Sequence, residues 1–178
     1  MTSHPMNSTP RGLASALETA TALDASVGLL ERVSRPLVQR PRLAAALRGS
    51  ALGHPAHPLL TDVPLGLWIS STVLDLLGPA GSRPAATRLL GLGVLASVPT
   101  ALTGLADWAA SGSRVRRVGA AHAALNSAAL GLYGASWLLR RRRRHAAGVA
   151  LSLVAGGVVG ASGYLGGHMA YVQRAPQG

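Results

Sequence analysis

The placement of charge constrains this chain more than its length does. Residues 146–167 contain no Asp, Glu, Arg or Lys, and in residues 118–139 the only ionisable groups are His122 and Tyr133. Residues 89–106 are likewise uncharged, and residues 59–78 carry only Asp62 and Asp75, near their two ends. Crossing a hydrocarbon core of roughly 30 Å takes about 20 predominantly apolar residues in a helix. A soluble helix of that length carries a polar stripe at a period of about 3.6 residues, whereas these segments interleave Leu and Val with Ala, Gly and Ser. The expectation is an all-α, four-transmembrane-helix bundle with helices near 59–78, 87–108, 118–139 and 146–171, the first being the least apolar.

The 178 residues divide into a tail, 1–51, and a single membrane domain, 52–173. The tail has no apolar run long enough for a signal peptide, so secretion by cleavage is not expected. Leu13, Leu17, Leu23, Val27, Leu30 and Val33 recur at helical spacing until Pro36 and Pro41 interrupt them, and Arg32, Arg35, Arg40, Arg42 and Arg48 accompany them. That pattern suits an amphipathic helix on an anionic membrane surface, or a partly ordered tail.

Small residues recur every four positions on the last two membrane segments, the spacing that lets helix backbones approach in lipid. Gly156 with Gly160 and Gly163 with Gly167 form two such pairs, and Ala124, Ser127, Ala128, Gly131 and Ala135 form a similar face. Pro64 and Pro99 fall inside the first two segments, are expected to kink them, and deprive the carbonyls of Leu60 and Leu95 of their helical donors.

All 17 basic residues are Arg, against six acids, for a formal charge of +11. Seven arginines near the membrane fall on each side: 40, 42, 48, 114, 116, 117 and 174 on the side of the termini, and 83, 88 and 140–144 opposite. The positive-inside rule is therefore balanced, and the burden of translocating a long basic tail favours termini in the cytoplasm of a multi-pass cell-membrane protein. The run of five arginines sits in a hairpin with no aromatic platform for bases, which points to lipid phosphates as partners and away from nucleic acid.

Four alternating helices bring selected polar residues to one membrane face. The first contributes His54, His57 and Asp62, the second Thr103 and Asp107, the third His122 and Asn126, and the fourth Tyr164, His168 and Tyr171. Residues three, four or seven apart share a helix face, so Thr100, Thr103 and Asp107 align, as do His122 with Asn126 and Tyr164 with His168 and Tyr171. Ionisable groups at membrane depth are costly and mark function by default. The residues also admit simpler roles: Asp62 and Asp107 as helix caps or partners of Arg114, Arg116 or Arg117, His54 and His57 as a polar entry, and the whole set as a latch fixing helix register. Asp75 belongs with the arginines of the opposite face, while His4 and His145 carry no assigned role.

The segments GHPAHPLLTDVPLGLW, TALTGLADW, HAALNSAALGLY and GYLGGHMAY, in that order over 52–171, closely resemble the bacterial membrane family called domain of unknown function 2231. The resemblance implies a four-helix integral membrane domain. In some relatives a similar domain is joined to Rieske iron–sulfur or c-type cytochrome domains, which implies a role in electron transfer.

Absence of cysteine removes disulfides, thiolate metal sites and covalent haem attachment. A redox centre would then be haem b or a divalent transition metal, with His122 and His168 as the first axial pair, His54 and His57 as substitutes, and Asp62 and Asp107 as further metal ligands. Asn126, Tyr164, Tyr171 and Thr103 would support it. A second expectation is a non-catalytic membrane anchor or scaffold that docks a redox partner protein. A third is a proton or solute pathway, which four helices would build as a homo-oligomer. No GxSxG elbow, HExxH or phosphate loop is present, so the chain reads as a carrier or anchor in preference to an enzyme.

Overall fold

Proline and glycine punctuate the first third of the chain. In the computed structural model, which describes residues 9–174, α1 (Pro10–Thr19) begins on a proline, whose missing N–H costs nothing at that position. The Thr9 hydroxyl accepts from the Gly12 N–H at 3.2 Å. A 3-10 turn, Thr21–Leu23, leads into α2 (Asp24–Val38). Then α3 (Pro41–Arg48) again starts on proline and stops at Gly49, whose φ of 83° is open to glycine without penalty. A second 3-10 turn, Ser50–Leu52, follows.

The four weakly charged segments form long helices: α4 (Ala56–Leu77), α5 (Arg83–Ala109), α6 (Ser113–Arg141) and α7 (His145–Gly167), the last continued by a π-helical turn, His168–Val172. No strand occurs among the described residues. The most extensive pairings are α4 with α5 and α6 with α7; α5 on α6 and α4 on α7 complete a ring. At its centre Trp68 of α4 stacks on Tyr133 of α6, with centroids 4.1 Å apart, flanked by Leu90 of α5 and Ala155 of α7.

By length and apolarity, α4, α5 and the helical stretch His145–Val172 can each cross a membrane. α6 is not among them, because His122, Asn126, Ser127 and Ser136 dilute its apolar character. α1 with Thr21–Val38, bent by 66°, would add a fourth only as a single broken span. The molecule is thus an all-helical, multi-pass membrane protein with three candidate spans, or up to four.

Two packing expectations change. A Cβ added at Gly160 or Gly163 would meet nothing within 4 Å, and Ala124, Ser127, Ala128, Gly131 and Ala135 of α6 are all exposed, so of these small residues only Gly156, against the Tyr133 hydroxyl, meets a neighbouring helix closely. The cause lies in α6 itself. Tyr133, Ser136 and Arg140 are buried in the bundle and His122 turns to α7, which leaves the small face outward. Glycines instead seat large side chains across helices. Trp68 lies on Gly93, Trp137 on Gly91, Trp108 on Gly119, and His57 on Gly104, positions where a Cβ would collide with the ring.

The tail is helical and packs on the bundle. Ala14 is buried with Val118 of α6 and Leu165 of α7. All three of its acids are engaged: Glu18 with His168 at 2.8 Å, Asp24 with Arg117 at 2.7 Å and Glu31 with Arg116 at 2.6 Å. His4 lies outside the described residues.

Candidate functional site

At the end of the bundle nearest α1–α3, two histidines lie between helices. His57, in the first turn of α4, places Nδ1 2.9 Å from the Thr100 carbonyl of α5. A carbonyl only accepts, so Nδ1 carries the proton. The Thr103 hydroxyl donates to the same carbonyl at 2.8 Å and closes the group. One turn away, the Thr100 hydroxyl lies 3.0 Å from the Leu60 carbonyl, the acceptor that Pro64 leaves without a helical donor, and shares its one proton with the Ala96 carbonyl at the same distance. Thus the expected deficit at Leu60 is met from the neighbouring helix.

His122 repeats the arrangement between α6 and α7. Its Nδ1 donates to the Ser162 carbonyl at 2.8 Å, the Ser162 hydroxyl donates to the His122 carbonyl at 3.2 Å, and the Asn126 amide donates to Nε2 at 3.0 Å. Both ring nitrogens are therefore engaged in a neutral imidazole.

The other nominated residues do not join them. His168 is buried, but its Nε2 meets Glu18 of the tail at 2.8 Å. His54, Asp62, Tyr164 and Tyr171 are exposed. Asp107 is half-buried at the end of α5 with Oδ1 lacking a hydrogen bond, beside Arg48, whose Nε donates to the Ala106 carbonyl at 3.3 Å. Arg116 and Arg117, the partners considered for the aspartates, belong to Glu31 and Asp24 instead. His122 and His168 are tied to different partners, His122 to Ser162 and Asn126 and His168 to Glu18 of the tail. Among the described residues no group of three or more His, Asp or Glu side chains is placed to hold a metal.

A second polar cluster occupies the opposite end. Asp75 of α4, with its side chain 1% exposed, meets one guanidinium nitrogen of Arg140 at 2.7 Å, and His145 Nε2 lies 3.1 Å from its other oxygen. Arg140 also donates to Ser136 at 3.2 Å and to Ser152 at 2.6 Å. Asp75 with an arginine was expected. The inward turn of Arg140 and the role of His145 were not. Their signal was the alignment of Ser136 with Arg140 and of Gly148 with Ser152, each four apart on the two arms of one hairpin. Ser162 and Glu18, which anchor His122 and His168, gave no sequence signal.

No curated protein and no solved structure matches the chain. Residues 53–176 match the family described as "Predicted membrane protein (DUF2231)", which covers both polar clusters and all four long helices. With most of its length accounted for in this way, the chain belongs to the DUF2231 family of predicted membrane proteins.

Proposed function

We propose that this protein is a non-catalytic membrane scaffold, a four-span anchor that holds a partner protein at the cell membrane. One observation carries the reading. Three of the histidines nominated as ligands, the half-buried His57 and His122 and the buried His168, have a ring nitrogen bonded to a different segment of the chain. Groups arranged in this way fix helix register, the best-attested use of polar side chains within a bundle. α6 serves as the fourth span. Its 29 residues extend about 43 Å at about 1.5 Å per residue, and it packs on α5 and α7, both apolar enough to cross. An even number of spans puts both termini on one side, which we assign to the cytoplasm.

A second reading rests on the anchoring of His57 and His122. A ligand imidazole commonly donates one N–H to a carbonyl and offers its other nitrogen to the metal. Both rings have the first half of that geometry, so they replace His122 and His168 as the pair for haem b or a metal. For His122 the Asn126 amide would have to move.

An optical spectrum and metal analysis of detergent-purified protein, with haem supplied, decide between the two. The scaffold reading expects no Soret band and no stoichiometric metal. A Soret band lost in both His57→Ala and His122→Ala overturns it and establishes the second.

A further inference from the structure

A groove of about 850 Å³ lies between the first turns of α5 and the last turns of α6, at the end of the bundle away from α1–α3. Arg83, Arg88, Arg141 and Arg143 stand at its mouth. Its floor is apolar and open outward: Leu92 and Leu95, 52% and 68% exposed, lie roughly 13 to 18 Å further along α5 than Arg83, with Trp137 of α6 in the same lining. The Arg141 guanidinium rests 5.1 Å from the Trp137 ring centroid, which holds its charge beside that wall.

Among the described residues the charge at the mouth has no acidic side chain as counterion. The sequence contains six acids. Glu18, Asp24 and Glu31 engage residues of the other end, Asp62 and Asp107 belong to that end as well, and Asp75 is consumed by Arg140 and His145. The ligand must therefore be anionic at one end and apolar over the next two or three turns of helix, at the depth where headgroup gives way to hydrocarbon. Free phosphate satisfies only the mouth, and a zwitterionic phospholipid brings a cation among the arginines along with its phosphate.

We infer that this groove is a binding site for an anionic diacyl phospholipid, with its phosphate among Arg83, Arg88, Arg141 and Arg143 and its acyl chains along Leu92, Leu95 and Trp137. The inference rests on the chain spanning the membrane, and on nothing at the histidine end. A basic pocket between membrane helices that continues into an apolar wall is the chemistry that selects such headgroups.

The test is native mass spectrometry of the full chain released from nanodiscs of phosphatidylglycerol and phosphatidylcholine in equal amounts. Phosphatidylglycerol is expected as the retained lipid. At about 1 kcal/mol per arginine near a membrane surface, each removal weakens retention roughly fivefold, and Arg83→Gln with Arg88→Gln about 25-fold. Leu95→Trp, which fills the floor while keeping every charge, also loses the lipid. Arg142→Gln, in the same turn but off the groove, does not. Equal retention of the two lipids, equal loss in Arg142→Gln, or displacement by glycerol phosphate overturns the site. A haem band would overturn the scaffold reading and leave this one standing.

Discussion

Pro64 shows how one residue creates a requirement that another helix meets. Its ring removes the donor for the Leu60 carbonyl, and in lipid no water can replace it. The Thr100 hydroxyl does so at 3.0 Å. Thr100→Val should lower stability by about 1 kcal/mol, between the small average for interhelical bonds in bilayers and the larger cost of an orphaned acceptor. In Pro64→Ala, where the backbone N–H returns, the same change should cost much less. Thermal unfolding of the four purified proteins measures this coupling, and equal losses in both backgrounds would remove it. Asp75 and Arg140 pose the same problem with charge. Neither could be held at 1% and 0% side-chain exposure without the other, and the flanking Ser136 and Ser152 hydroxyls accept from Nε and Nη2 of the guanidinium.

Among the elements, α6 and the tail departed furthest from expectation, both for electrostatic reasons. α6 is the helix with most polar groups to satisfy, so its inward face is chosen by Tyr133, Ser136 and Arg140, and Ala124, Ala128, Gly131 and Ala135 are left outside. In the tail, the arginines drew attention to lipid, yet the few acids decide its position by pairing with the basic start of α6 and with His168. The Arg117 guanidinium holds the Asp24 carboxyl below its ordinary value of 3.8. A depressed carboxyl stabilises the folded arrangement above that ordinary value and loses its contribution as pH falls through the lower, folded one. Hydrogen exchange in α2 should therefore be slower in the native chain than in Asp24→Asn at pH 6, with the difference vanishing as pH drops below about 3.8. A difference unchanged at acid pH would mean that packing of Ala14 and its neighbours, not the ion pair, holds the tail.

For the whole molecule the open quantity is the number and direction of spans. Absence of native cysteine makes every introduced one a unique label. Ala80→Cys, in the turn between α4 and α5, and Ser113→Cys, at the start of α6, lie on opposite sides if α5 crosses. With termini in the cytoplasm, a membrane-impermeant maleimide added to intact cells should label Ala80→Cys and spare Ser113→Cys. The reverse pattern inverts the topology, and labelling of both rejects α5 as a span.

Length, charge gaps and small-residue content determined by themselves that this chain is helical, with several segments apolar enough to cross a membrane. Those properties depend on the solvent that each segment tolerates, which is local information. Which polar groups meet was decided only in the tertiary structure. The expectation of four histidines and two aspartates at one face required merely equal depth in the bilayer. Convergence also requires rotation about each helix axis, and that angle is set by all the partners a helix must satisfy together. Ser162 and Thr100 on neighbouring helices claimed His122 and His57, Glu18 claimed His168 from 150 residues away, and the apolar floor of the arginine groove appeared only once α5 lay beside α6.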